Sequence, residues 1–353
     1  MLRLLVWPLF ALVMMMLPAA PTGARAPERI VAVGDLHGDY DAWLAIARGA
    51  GLVDQRGRWT GGATTLVQLG DVVDRGPDSL KIIRHLKRLQ RESRRRGGQV
   101  IVLVGNHEAM MMTGDMRYVH PGEYAAFADR NSAALRDRVY EASRASVEAD
   151  AIARDPTLRP ADVRAAWMKE VPLGRLEYQA AWRSDGELGE WVLGNPAVVK
   201  LGDSLFVHGG ISSRYADQSI AQINEQVAAA LKSRDSSAAA IINDPTGPLW
   251  YRGLVTRGTS DETTLAPSVP GATPLTPDQE VALALQKFGV SRIVVGHTPS
   301  TQIIEALDGR LWRIDSGNSR TYGGVPSWLE IRGSGAVARQ AARTTSNAFP
   351  EGQ

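Results

Sequence analysis

Cysteine is absent from the 353 residues. No disulfide, thiolate nucleophile or thiolate-bound metal is therefore available, and a metal site must be built from His, Asp, Glu and Asn. Such ligands favour hard or borderline divalent cations. Histidine is scarce, at six residues, and charge of one sign hardly accumulates, with a formal net of +2. The missing basic excess argues against nucleic acid as a partner. No internal repeat or low-complexity domain breaks the chain. What is abundant is apolar: hydrophobic residues make up 44%, enough for a large core, and the length suits a layered α/β fold.

The N-terminus reads as an export leader. Arg3 gives a positive start, "LLVWPLFALVMMML" an apolar segment, and Ala24–Ala26 a small-x-small cleavage site. The alternative is an uncleaved membrane anchor, since the run approaches bilayer-spanning length. Pro8, Pro18 and the A-x-A ending favour cleavage and hence a periplasmic or secreted protein. Removing residues 1–26 takes away Arg3 and Arg25 and no acid, so the formal charge falls to zero. The expected organisation is a signal peptide at 1–26, one domain at 27–340 with a helical insertion at about 120–190, and a polar, disordered tail at 341–353.

Short β-branched runs end in Gly or a polar residue: "RIVAVGD", "TTLVQLGD", "QVIVLVGN", "SLFVHGG" and "RIVVGHT". Each predicts a buried strand that delivers polar side chains to a loop. Helical patterns, "DYDAWLAIARGA" and "DSLKIIRHLKRLQRESRRR", separate the first three, which implies βαβ units and a largely parallel sheet. Residues 256–280 read as a Pro/Thr/Ser loop. Beyond it "TQIIEAL", "RLWRID" and "PSWLEIRG" predict strands of a second sheet.

The strand ends carry the chemistry. They present Asp35 and His37 in "GDLHG", Asp71, Asp74 and Arg75 in "GDVVDRG", Asn106 and His107 in "GNHE", His208 in "HGG" and His297 in "GHT". Four of the six histidines fall there; His85 and His120 do not. Parallel strands present their C-terminal ends on one edge, where sites of open α/β sheets form. Acids, imidazoles and an amide converging there can hold a pair of cations, which together clamp an oxyanion and acidify a bound water.

The series GDxHG, GDxVDRG, GNHE, HGG and GHT resembles the phosphoprotein-phosphatase class of metallophosphoesterases, of calcineurin-like fold. "NHEAMMMTGDMRYVHPGEY", "GEWVLGNPAVVKLGDSLFVHGGIS" and "GPLWYRG" resemble its Shewanella-like subgroup. The resemblance implies an α/β fold of two sandwiched sheets flanked by helices (α/β/β/α). It implies that Asp35, His37 and Asp71 hold one divalent ion, and that Asp71 bridges to a second completed by Asn106, His208 and His297. Manganese is the expected metal, with iron and zinc accepted by the same ligands. His107 becomes the general acid, oriented by Asp74, while Arg75 and Arg252 grip phosphate bidentately. The implied reaction is hydrolysis of a phosphomonoester on a phosphoprotein, with a preference for phosphotyrosine or a broad one, by in-line attack of a water bridging the metals.

Two departures narrow the resemblance. The late segment "DSGNSRTYGG" replaces the "SAPNYC" loop of the eukaryotic-type enzymes, so Tyr322 is not equated with that loop's tyrosine. Pro299 stands where phosphodiesterase relatives have the second His of GHxH. Two other readings stay open: dinucleoside-polyphosphate hydrolysis and non-catalytic metal binding. Among single features, Glu108 is expected to support its turn, Met110–Met112 to pack in the core, and Arg117 to fit the subgroup pattern or make a structural ion pair. Lys81–Arg96, with eight basic residues, is expected to be a solvated helix packed through Ile82, Ile83, Leu86 and Leu89.

Overall fold

The computed structural model describes residues 27–256 and 275–341. The expected leader at 1–26, the tail from 342 and the loop segment 257–274 lie outside the described residues. Ten strands occur among the described residues: β1 (Ile30–Val33), β2 (Thr65–Gln68), β3 (Gln99–Val102), β4 (Val198–Leu201), β5 (Ser204–Val207), β6 (Arg292–Val295), β7 (Ile304–Ala306), β8 (Leu311–Arg313), β9 (Ser327–Arg332) and β10 (Gly335–Gln340). The helices are α1 (Tyr40–Gly49), α2 (Ser79–Arg94), α3 (Asn106–Thr113), α4 (Pro121–Ala125), α5 (Ser132–Arg154), α6 (Pro160–Glu170), α7 (Arg175–Ala181), α8 (Glu187–Leu193), α9 (Ile220–Ser233) and α10 (Pro277–Phe288). None is long and apolar enough to cross a membrane.

Two five-stranded sheets form, in the orders β10-β9-β1-β2-β3 and β4-β5-β6-β8-β7. Three adjacent strands of each, β1-β2-β3 and β5-β6-β8, are parallel. Side-chain alternation sorts the layers. Ile30, Ala32 and Val67 meet Phe206, Val294 and Trp312 between the sheets. Their neighbours Val31, Val33 and Leu66 turn to the helix layer with Trp43, Ile46, Ile82 and Leu86, as Leu205, Val207 and Ile293 do with Ile223, Val227 and Val281. Strands buried on both faces need apolar residues at consecutive positions, which explains the β-branched runs.

Three expectations need correction. "PSWLEIRG" does form a strand, β9, but it pairs antiparallel with β1 in the first sheet, not the second. Leu329 and Ile331 fit that inter-sheet layer, and no local pattern says which sheet edge a returning strand will meet. The supposed loop through residue 280 ends sooner: Thr276 caps α10 by accepting from Gln279 N, with Gln279 reaching back and Pro277 in the first turn. Asn106 and His107 do not extend from a strand; they open α3. Successive residues there diverge by about 100° around the helix axis, so the two side chains still face different neighbours.

The stretch expected to be helical insertion is α4 to α8, and Lys81–Arg96 largely forms α2 with Ile82, Ile83, Leu86 and Leu89 buried. Its first N–H is taken by a carboxylate. The buried Glu123 of α4 takes Ser79 N through Oε1 at 2.7 Å, and burial pushes this carboxyl up to about 7.

Candidate functional site

The site lies at the C-terminal ends of the parallel strands of both sheets. The loop after β1 carries Asp35 and His37, that after β2 Asp71, Asp74 and Arg75, and β3 leads into Asn106 and His107. From the second sheet come His208 after β5, His297 after β6 and Asp315 after β8. Backbone bonds tie the loops together. Asp71 O accepts from Leu36 N and His37 N at 3.0 and 2.9 Å, and His208 O accepts from Gly296 N at 2.8 Å.

Strain is concentrated here. Among the described residues eight non-glycine residues have positive φ, and five of them are His37, Asp71, Asp74, Arg75 and His297. Each such placement costs about 1–2 kcal/mol, and persists because surrounding bonds over-determine it. Two glycines make room for the carboxylates. A Cβ on Gly105 would collide with the Asp71 carboxylate, and one on Gly296 would stand 2.6 Å from Asp35 Oδ1.

Glu108, as expected, supports the turn. Its Oε2 accepts from Asp71 N and Gly105 N at 2.9 and 2.8 Å, and its Oε1 from Val72 N at 2.8 Å. Met110–Met112 are buried, and Arg117 pairs with Asp115.

Asp71 is the hub. Its Oδ2 lies 3.8 Å from His37 Nε2, 3.8 Å from His107 Nε2 and 3.3 Å from His208 Nε2. Asp35 Oδ2 is 3.9 Å from His37 Nε2. Ligand atoms of Asp71, His208 and His297 lie within 4.8 Å of one another, as do those of His37, Asp71 and His107. Asn106 Oδ1 is 2.9 Å from His208 Nε2. The structure thus brings all six expected ligands together and sets His107 beside them.

The hydrogen-bond pattern fits cations. His37 Nδ1 faces Val73 O at 3.0 Å and His208 Nδ1 faces Leu69 O at 2.9 Å. Protons on those nitrogens leave each Nε2 as a lone pair aimed at carboxylate or amide oxygens, the arrangement a metal resolves. His297 Nε2 is buried without a hydrogen-bond partner. Burial drives His37 down to about 3. Burial, with the His208 and Arg252 charges, holds His297 well below the ordinary imidazole range. Imidazoles that stay neutral are the form that binds metal.

The carboxylates show the same need for positive charge. Burial, with Asp315 and Asp71 nearby, raises Asp35 well above its usual range. Burial alone would raise Asp71, but the imidazoles of His208, His107 and His37 carry it well below. Burial lifts Asp315 to about 6. Buried acids at such density require cations or protons.

His107 shares its raised pKa with His208, but differs from His37 and His208 in having an acid at Nδ1. Its Nδ1 is 2.6 Å from Asp74 Oδ2, and its backbone N donates to Asp71 Oδ1 at 3.0 Å. Burial opposes its charge, yet Asp71 and Asp74 raise its pKa above the ordinary histidine value. Arg75 is half-buried and Arg252 exposed; Arg252 acts on His297 as described, and its neighbour Trp250 places its ring 5.7 Å from that imidazole.

Asp315 was missed from sequence, although "RIDSG" repeats the pattern of an apolar run ending in an acid. Asn318, which donates to Asp35 O at 3.3 Å, and Tyr118, whose ring lies 5.3 Å from that of His107, carried no such signal.

Known proteins give the same picture. The family model described as calcineurin-like phosphoesterase matches residues 28–300. Shewanella-like protein phosphatase 2 of Arabidopsis thaliana is 34% identical over 88% of this chain and 77% of its own length. Shewanella-like protein phosphatase 1 of Plasmodium berghei is 27% identical over 86% and 71%. The crystal structure of a cold-active protein-tyrosine phosphatase from a psychrophilic Shewanella shares the fold, with TM-score 0.63 and 24% identity over 89% of this chain and 78% of that one. The fold implies a dimetal site, which the His and Asp groups here suit. The chain belongs to the calcineurin-like phosphoesterase family, with the Shewanella-like phosphatases as its relatives within it, and is a metal-dependent phosphatase.

Proposed function

We propose that this phosphatase acts on phosphoproteins, with phosphotyrosyl side chains as the preferred ester, and that manganese is its working metal. The substrate class is supported by the relatives named protein phosphatases and by the protein-tyrosine phosphatase that shares the fold. The observation that carries the chemistry is the convergence of three imidazole Nε2 atoms on Asp71 Oδ2.

In this reading Asp35, His37 and Asp71 hold one cation, and Asp71, Asn106, His208 and His297 the other. When bound, the two cations supply charge neutralisation at the phosphoryl oxygens and acidify water to the level of a nucleophile. Arg75 and Arg252 bind phosphate oxygens through their planar N–H edges. Asp74 accepts from His107 Nδ1–H, which leaves the Nε2 proton for the departing alkoxide or phenoxide.

By distance alone His107 could serve as another imidazole for the first ion, since its Nε2 is as near Asp71 as that of His37. The short bond to Asp74 favours the proton-donating role. His37, in contrast, has a neutral backbone carbonyl at Nδ1.

The deciding experiment uses metal-stripped protein on a panel of phosphopeptides and nucleotides, each divalent cation being added back in turn. Faster turnover of a phosphotyrosyl peptide than of diadenosine tetraphosphate, restored best by manganese, supports the reading. The reverse substrate order favours dinucleoside-polyphosphate hydrolysis, and metal binding without turnover a non-catalytic protein. Activity that survives complete chelation contradicts the mechanism. We also propose export, on the strength of Arg3, the apolar run and Ala24–Ala26; cell fractionation tests it.

A further inference from the structure

We infer that Tyr118 is a positioning residue for Arg75, acting through its ring and not through its hydroxyl. The inference rests on the reading of Arg75 as a phosphate-binding group. The Arg75 guanidinium carbon lies 4.6 Å from the Tyr118 ring centroid and 5.3 Å from that of Tyr322. The two rings also reach the site imidazoles, Tyr118 against His107 at 5.3 Å and Tyr322 against His37 at 5.5 Å. Both tyrosines remain 39% and 38% exposed, so neither is explained by core burial.

Arg75 is oriented by these faces and not by an acid. No carboxylate pairs with it among the described residues, and its Nε is buried without a partner. An ion pair would neutralise the charge needed for phosphate and occupy the N–H edge. An aromatic face instead attracts the guanidinium through the ring quadrupole and leaves that edge available to an oxyanion.

Tyr118 grips the same residue twice. Asp74 and Arg75 are consecutive left-handed residues, with φ of 70° and 65°, and Arg75 N donates to Tyr118 O at 2.9 Å. The backbone bond holds the strained turn, and the ring then fixes where the side chain goes. Tyr118 is itself anchored, with Arg117 Cζ 5.8 Å from its ring and Arg117 Nε bonded to Asp115 Oδ2 at 2.9 Å.

The test is a double-mutant cycle on the full chain loaded with manganese. It reads inorganic phosphate binding by calorimetry and hydrolysis of p-nitrophenyl phosphate. Tyr118→Leu is expected to weaken phosphate binding and raise KM about tenfold, with kcat within about threefold. Tyr118→Phe should stay within about twofold of the parent. Tyr118→Gln gives a second ring-free variant, and melting temperature and metal content should not change in any of them. In an Arg75→Ala background, Tyr118→Leu should add nothing.

Full additivity of the two substitutions, an unaltered Tyr118→Leu, or a Tyr118→Phe as impaired as Tyr118→Leu would overturn the inference. Unchanged phosphate binding in Arg75→Ala alone would instead overturn the assignment of Arg75.

Discussion

His107 Nδ1 stands 2.6 Å from Asp74 Oδ2, with the Asp74 backbone in a left-handed conformation at φ 70°. Backbone strain here sets a carboxylate against the one site imidazole whose Nδ1 faces an acid and whose Nε2 can carry a transferable proton. His107→Asn is expected to lower kcat by about 10²–10⁴-fold, with metal content by elemental analysis close to that of the parent protein. Loss of the metals, with activity regained on reconstitution, would show that His107 is a ligand and not the acid.

His208 joins the two sheets through Leu69 O and presents Nε2 to both Asp71 and Asn106. His208→Ala should reduce bound metal from two ions per chain toward one. Metal titration followed by plasma spectrometry reads this directly, without reference to turnover.

Glu108 satisfies three backbone N–H groups across two loops. Glu108→Ala leaves these buried donors without a partner, at about 1–3 kcal/mol for an unsatisfied group. Urea denaturation should therefore give a midpoint shift equivalent to at least about 3 kcal/mol for the three groups together, and metal affinity should fall with it. A stability equal to the parent would mean that the Asp71 turn holds without Glu108.

Glu330, on β9, bonds Arg29 at 3.1 Å beside the start of β1, and this bond, with help from Arg332, lowers its carboxyl to about 2. A carboxylate depressed in the folded state stabilises it above the ordinary Glu pKa of about 4.3 and loses that effect as pH falls toward about 2. Glu330→Gln should melt below the parent at neutral pH, and the gap should close between about pH 4 and pH 2. A gap constant across that range contradicts the assignment.

Much of the site was legible because its parts are local. An apolar run ending in Gly-Asp, Gly-Asn-His or His-Gly marks a buried strand and what its loop displays, and parallel pairing then puts all such ends on one edge. The helix α2 and the supporting role of Glu108 were legible for the same reason, since period and spacing are properties of a short segment. Where two segments far apart had to choose each other, no such reading was available. Tyr118 shows no pattern of its own; it matters because it packs against Arg75 and His107.

Side-chain order along the chain therefore dictated which residues could form strands, which strand ends carried acids and imidazoles, and that no thiolate ligand would take part. Folding in three dimensions chose that β9 returns to the first sheet, that α3 opens at Asn106, and that Asp315 and two tyrosines join the site. The reason is physical: propensity and periodicity act over a few residues, whereas sheet partners, buried carboxylate clusters and ring contacts depend on packing between segments separated along the chain.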